Sequence, residues 1–204
     1  MSIKEEIKGW QEENFVKTLA DMGIKEGSIV VDFGCGVGNY AFSVSYRVGG
    51  KGKVYAVDKS RIALEYLSAE AEQKGVQNVI PMTPEYDGGI PLKDCSADMV
   101  MIYDLIHDLG GQKRQILNEC WRILKVNGIL SIAPFHMEEW QIAELTQEIE
   151  GYGFALGNVQ EKKALHFEMY RYLFQETEPL GEYEKGNIYN FYKKEEKCSC
   201  IALQ

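Results

Sequence analysis

The sequence predicts an α/β fold, a doubly wound and mostly parallel sheet with helices on both faces. Three observations carry this. The apolar run Ile29-Val30-Val31 leads through Asp32 into a glycine turn and then a helix-like segment. A second apolar run, Val54 to Val57, ends in Asp58, 20 residues beyond Gly38. Further apolar runs then alternate with helical patterns as far as Ile149, the rhythm of strand–helix–strand units.

The glycine turn reads Asp32-Phe33-Gly34-Cys35-Gly36-Val37-Gly38-Asn39-Tyr40. Glycines stand where a ligand must approach the backbone, and the turn is expected to point free amides above the helix N-terminus. A dinucleotide fingerprint would need glycine at position 39, which is Asn39, and no Gly-Lys-Ser or Gly-Lys-Thr of a P-loop follows. Acid-x-Gly-x-Gly-x-Gly resembles motif I of the class I S-adenosylmethionine (SAM) dependent methyltransferases. SAM carries no phosphate; it needs room for a sulfonium and a partner for its ammonium, which Asp32 can supply. The resemblance implies that Asp32, Phe33, Gly34, Cys35, Gly36, Gly38 and Tyr40 border the cofactor.

Ahead of the turn, Trp10, Phe15, Val16, Leu19 and Met22 have helical spacing, stopped by Gly23. This segment either packs on the sheet or helps to cover the cofactor and substrate. Beyond the turn, a helix with Ala41, Val44, Ser45 and Val48 on one face ends at Gly49-Gly50. Asp58 then closes the second strand, where one carboxylate can accept both hydroxyls of a ribose; the methyltransferase family places an acid here for that purpose. Its other reading is a helix N-terminal acid, with Ser60 as cap. The resemblance puts Lys59 and Ile62 beside the adenine.

Ser60 to Lys74 is expected as a helix with Ile62, Ala63, Tyr66, Leu67 and Ala71 inward, followed by the strand Val79 to Met82. The family commonly has a carboxylate next, facing the adenine amino group. This chain has Thr83-Pro84-Glu85, so Thr83, Pro84 and Glu85 are the adenine-side candidates.

Strand four is expected over Asp98 to Tyr103, its carboxyl end over the glycine turn, which brings Tyr103, Asp104 and His107 near the transferable methyl. His107 and Asp104 are the catalytic candidates, His107 as a general base, against a structural reading in which the acids are solvated or cap a helix. Asp104, His107 and Asp108 also stand at i, i+3 and i+4, a spacing able to form a metal face; no metal is assigned. Gln112 to Val126 reads as an amphipathic helix stopped at Asn127-Gly128, and Ile129 to Pro134 as strand five; both resemble the family's motif III region. His136 follows as a substrate-pocket candidate.

Trp140, Ile142, Leu145 and Ile149 mark another helix, Phe154 to Val159 a sixth strand and 186–193 the last. Between them the aromatic stretch from Leu165 to Phe174 is core or the wall of an apolar pocket. The resemblance, over about residues 10–193, is strongest to the small-molecule branch akin to the ubiquinone/menaquinone biosynthesis methyltransferases. It implies a Rossmann-like sheet of order 3-2-1-4-5-7-6 with strand 7 antiparallel, SAM as cofactor, S-adenosylhomocysteine as product, and a small-molecule acceptor. Alternatives are a non-catalytic SAM-binding scaffold, an arsenite methyltransferase and a nicotinamide-dependent oxidoreductase.

The 204 residues are expected to form one methyltransferase domain: a helical segment to about residue 24, a core over 25–193 and a tail over 194–204. Apolar content of 45% and charged content of 26% are those of ordinary globular proteins. A net charge of −9 with no basic face disfavours nucleic acid as partner. No apolar run is long enough to span a bilayer and no signal-like segment opens the chain, so a cytoplasmic monomer or homodimer is expected. Five irregularly spaced cysteines argue against a disulfide framework. Cys198 and Cys200 could hold a soft metal or arsenic, or form a labile disulfide, with Cys95 expected near the pocket rim.

Overall fold

The computed structural model describes residues 5, 8–85, 89–166 and 184–194. Seven strands form one sheet in the order β3-β2-β1-β4-β5-β7-β6. They are β1 (Ile29–Phe33), β2 (Lys53–Val57), β3 (Val79–Met82), β4 (Ala97–Tyr103), β5 (Leu124–Ala133), β6 (Phe154–Leu165) and β7 (Lys185–Lys193). β7 runs antiparallel to both β5 and β6; every other pairing is parallel. The expected order is therefore borne out, and the carboxyl ends of β1, β2, β4, β5 and β6 share one edge.

Among the described residues five α-helices cover the faces: α1 (Phe15–Asp21), α2 (Ala41–Val48), α3 (Arg61–Gln73), α4 (Lys113–Ile123) and α5 (Glu139–Gly151). A π-turn, Trp10–Asn14, leads into α1. The central strands are apolar on both sides because both sides are covered. Val30, Met99 and Met101 enter one core layer with α1 and α2; Val31, Val100 and Ile102 enter the other with α4 and α5. Among the described residues no helix is long and apolar enough to cross a membrane.

Several elements depart from the sequence reading. α4 stops at Ile123, three residues before the expected end, because Leu124 turns to extended backbone and pairs with Ala97. The Lys125 ammonium then lies 2.7 Å from an Asp98 carboxylate oxygen, fixing the start of the β4–β5 pair. In α3 the inward set is Ala63, Leu64, Leu67 and Ala71; Ile62 is 68% exposed and Tyr66 stands outward too. Trp140 is exposed, and Leu145 and Ile149 anchor α5. β6 continues six residues past Val159, with register shifts between Leu156 and Asn158 and between Gln160 and Ala164. Such irregularities bend a strand. The aromatic stretch from Phe167 to Phe174 and the Cys198–Cys200 pair lie outside the described residues.

Candidate active site

Each glycine of the turn has positive φ: +84° at Gly34, +52° at Gly36 and +90° at Gly38. Side-chain-bearing residues strain in this region. Space is closed as well. A Cβ on Gly34 would enter the Leu105 side chain, and one on Gly38 would come within 2.9 Å of Leu67 Cδ1.

Four amides of the turn are already paired within the chain, which corrects the expectation from sequence for those positions. Gly34 and Cys35 N–H both donate to the Val57 carbonyl, at 2.7 and 3.1 Å. Gly38 N–H donates to the Cys35 carbonyl at 2.9 Å, and Gly36 N–H to Asp58 Oδ2 at 2.8 Å. The chain uses these donors to hold the turn on the end of β2, so they make no anion cradle. A ligand without phosphates is what this turn suits. The other Asp58 oxygen accepts the Ser60 N–H at 2.7 Å, and Ser60 caps α3 by accepting the Ala63 N–H at 3.3 Å. A carboxylate offers about four lone-pair sites, so two accepted amides leave capacity for a diol.

Asp32 is 2% exposed, and its Oδ2 has no hydrogen-bond partner. Burial, reinforced by the Asp58 charge, pushes its carboxyl up to about 7, against the pull of the Ala41 N–H. A buried acceptor left open in this way fits the ammonium of a SAM-like ligand. Phe33 alternates to the opposite core layer beside Val31, so only its backbone belongs to the turn. Cys35 is buried, with burial first and then the Asp32 and Asp58 charges raising its thiol.

Tyr40 joins an aromatic group over the turn. Its ring lies 5.0 Å from Phe15, 5.7 Å from Trp10 and 4.8 Å from Tyr103, each edge to face. Gln11 Nε2 donates to the Asn39 carbonyl at 2.9 Å. The leading segment therefore packs onto the glycine turn itself. Tyr103 is buried, and its hydroxyl points away along the sheet. Ser131 Oγ donates to Asn190 Oδ1 at 2.7 Å, which leaves the Tyr103 hydroxyl as donor to Ser131 at 2.8 Å. On the adenine side, Lys59, Thr83 and Glu85 are exposed and Pro84 half-buried. Asp58 N–H donates to the Met82 carbonyl at 3.1 Å, which ties the ends of β2 and β3 together.

At the carboxyl ends of β4, β5 and β6 the chain gathers all three of its histidines around one carboxylate. His166 Nε2 lies 2.9 Å from Asp104 Oδ2, and His136 Nε2 lies 3.6 Å from Asp104 Oδ1. The two Nε2 atoms are 3.2 Å apart, and the His107 ring sits 5.3 Å from that of His136. Burial raises the Asp104 carboxyl while the three histidines pull it back. Asp104 and His136 have φ of +52° and +60°, and such strain collects at functional sites.

The i, i+3, i+4 face of Asp104, His107 and Asp108 does not form. The chain leaves β4 through a 3-10 turn, Ile106–Asp108, rather than an α-helix, and Asp108 is exposed. His166 is not among the site residues that the sequence points to: it is separated from Asp104 by most of two strand–helix units and falls in the aromatic stretch from Leu165, and only the extension of β6 to Leu165 brings it here. A cavity of about 180 Å³ opens beside the cluster, with Ile106, His107, His136, Met137 and Leu145 in its walls. Cys95 is not at this rim. It precedes β4, at the opposite edge of the sheet, with Sγ 3.7 Å from Lys193 Nζ.

Residues 24–195 match the family model of the methyltransferase domain. The chain is 31% identical over 136 residues to a protein of Saccharolobus solfataricus named probable cobalt-precorrin-6B C(15)-methyltransferase (decarboxylating), covering 66% of each chain. It is 27% identical over 184 residues to the 2-phytyl-1,4-beta-naphthoquinone methyltransferase of Arabidopsis thaliana, covering 89% of this chain and 65% of that one. The chain thus spans about two thirds of the length of these relatives. A SAM-dependent methyltransferase from Aquifex aeolicus superposes with a TM-score of 0.67 at 25% identity, over 92% of this chain and 97% of that one. With the sheet order, the glycine turn and the two acids already in place, these likenesses assign the chain to the SAM-dependent methyltransferase family, with SAM as its cofactor.

Proposed function

We propose that this chain transfers the methyl group of SAM to a small-molecule acceptor that enters from the His107–His136 side. The observation that carries the reading is the open, buried Oδ2 of Asp32 beneath a glycine turn whose neighbour, Asp58, has capacity for a diol. SAM supplies an electrophilic methyl on a sulfonium with a good leaving group. Asp32 holds the ammonium, Asp58 the ribose hydroxyls, and Ile62 with Thr83 flanks the adenine. The missing Cβ atoms of Gly34 and Gly38 keep the backbone low and the turn closed against Leu105 and Leu67.

On the acceptor side, the 180 Å³ cavity supports a small ligand rather than a polymer. His107 and His136 of the cluster, with Lys113 and Gln141, give it a polar wall, and His107 presents a buried Nδ1 with no hydrogen-bond partner. That nitrogen, with Asp104, receives the proton of an acceptor hydroxyl, thiol or amine as the new bond forms. Alignment of the acceptor at about 3 Å from the methyl carries most of the acceleration.

Internal use of the turn amides weighs against a nicotinamide dinucleotide, which needs them for its pyrophosphate. Arsenite chemistry needs convergent thiols, and among the described residues none converge: Cys35 and Cys120 are buried apart from the cavity, and Cys95 is at the far edge. Calorimetric titration with S-adenosylhomocysteine, with NADH in parallel, tests the cofactor. Micromolar binding of the first alone is expected, and binding of NADH instead would overturn the reading. Methyl release to a panel of small nucleophiles then separates an enzyme from a SAM-binding scaffold.

A further inference from the structure

We infer that Asp104, His107, His136 and His166 form a binding site for one divalent transition-metal ion of the zinc type. Asp104, His107 and His136 each offer a donor atom, and these three lie within 4.8 Å of one another. His166 adds a fourth donor, 2.9 Å from Asp104 and 3.2 Å from His136.

Spacing supports the assignment. Ions of this class bind imidazole nitrogen and carboxylate oxygen at about 2.0–2.2 Å in a tetrahedron, so neighbouring donors stand about 3.3 Å apart. The two Nε2 atoms of His136 and His166 are 3.2 Å apart, and each faces a different Asp104 oxygen, Oδ1 at 3.6 Å and Oδ2 at 2.9 Å. The imidazole pair is thus spaced close to a tetrahedral edge, with the carboxylate bridging beside it.

Proton counting supports it too. Without an ion, His166 Nε2–H is the donor to Asp104 Oδ2. His136 Nε2 then faces both a nitrogen at 3.2 Å and an oxygen at 3.6 Å, and Asp104 Oδ1 is left buried with no partner. His107 Nδ1 is likewise buried and unpartnered. A cation among Asp104, His107 and His136 gives both orphaned atoms a partner, because each presents a lone pair to it, and His166 Nε2 stands beside them as the fourth donor. His107 Nε2 stands 3.6 Å from Asp108 Oδ2. With Nδ1 as the ligand atom, that carboxylate lies just beyond hydrogen-bond range on the ring's other side, where metal-bound imidazoles commonly have an outer partner.

Charge and ligand type select the ion. One carboxylate with three neutral imidazoles suits zinc, cobalt, nickel or ferrous ions better than calcium or magnesium, which prefer oxygen sets. The nearby ammonium of Lys113 does not compete, being held by Glu148 at 2.6 Å. The ion would border the 180 Å³ cavity, within reach of a heteroatom of a small molecule bound there. The inference concerns the donor set and holds whether or not the chain turns over a substrate; with the ion bound, His107 Nδ1 and Asp104 are its ligands, so the proton-accepting role given to them above belongs to the ion-free chain.

The test is titration of chelator-stripped full-length protein with Co2+ in the absence of SAM, read by visible absorption and by metal content after desalting. One ion per chain is expected, with ligand-field bands and no thiolate charge-transfer band. His136→Ala and His166→Gln are each expected to weaken binding more than about tenfold. S-adenosylhomocysteine affinity and far-UV circular dichroism, both unchanged, would show that these variants are folded. Cys198→Ser/Cys200→Ser protein is expected to bind as the parent does. Absence of stoichiometric binding, loss of the ion with the cysteine pair, or full retention in both histidine variants would each overturn the site.

Discussion

The Tyr40 hydroxyl accepts the Leu165 N–H at 2.8 Å and donates back to the Leu165 carbonyl. One phenol thus fastens the glycine turn to the last residue of β6, 125 positions away in the chain. All of these atoms are buried, and burial pushes the phenol pKa well up. The contact also decides where His166 goes, since the next peptide carries that imidazole into hydrogen-bond range of Asp104.

Tyr40→Phe keeps the ring packing on Phe15 and Tyr103 but leaves a buried N–H and carbonyl unpaired. A loss of about 1–3 kcal/mol in unfolding free energy is expected, measurable by urea denaturation. A change below the error of that measurement would mean that solvent reaches Leu165.

Asp58→Ala removes the carboxylate that holds Gly36 and that is proposed to take the ribose hydroxyls. S-adenosylhomocysteine affinity is expected to fall more than tenfold, about 1.4 kcal/mol or more, while the far-UV spectrum is kept. Calorimetry decides; unchanged affinity would remove Asp58 from the cofactor site.

Gly38→Ala places a Cβ 2.9 Å from Leu67 Cδ1 at a φ of +90°. The combined strain and overpacking is expected to cost about 2–4 kcal/mol and to lower the thermal midpoint by several degrees. Gly75→Ala is the control. It has a positive φ of +65° but nothing within 4 Å, so its cost is expected to be the smaller.

The Asp32 carboxyl, raised from 3.8 to about 7, gives a pH dependence with a defined sign. Between those values the folded chain holds a proton at this site that the unfolded chain has lost. Stability therefore falls as pH rises from about 4 to about 7 and levels off above. Asp32→Asn is expected to remove that component of the slope in urea unfolding across the range. SAM affinity carries the opposite trend, because the ammonium favours the carboxylate form; it is expected to rise through pH 7 in the parent and stay flat in Asp32→Asn.

Much of the molecule was legible in the chain because it rests on local pattern. Apolar runs such as Val30-Val31 and Val100 to Ile102 are buried by layers on both sides, and the glycine turn has its conformation written into three residues without Cβ. Asp58 could be placed because it ends the strand beside β1, a fixed distance along the chain. Boundaries were less legible where pairing overrode propensity, as at Leu124, whose partner Ala97 draws it out of α4.

By itself, the sequence determined the element types, the glycine turn, the two acids and the family that these resemble. Only the tertiary structure decided that the amides of Gly34, Cys35, Gly36 and Gly38 are consumed internally, that Cys95 lies at the wrong edge, and that His136 and His166 meet Asp104. These are contacts between residues distant in the chain. They depend on how far β6 extends, how its register shifts bend it, and where the Tyr40 hydroxyl catches its end, and no local periodicity encodes such distances.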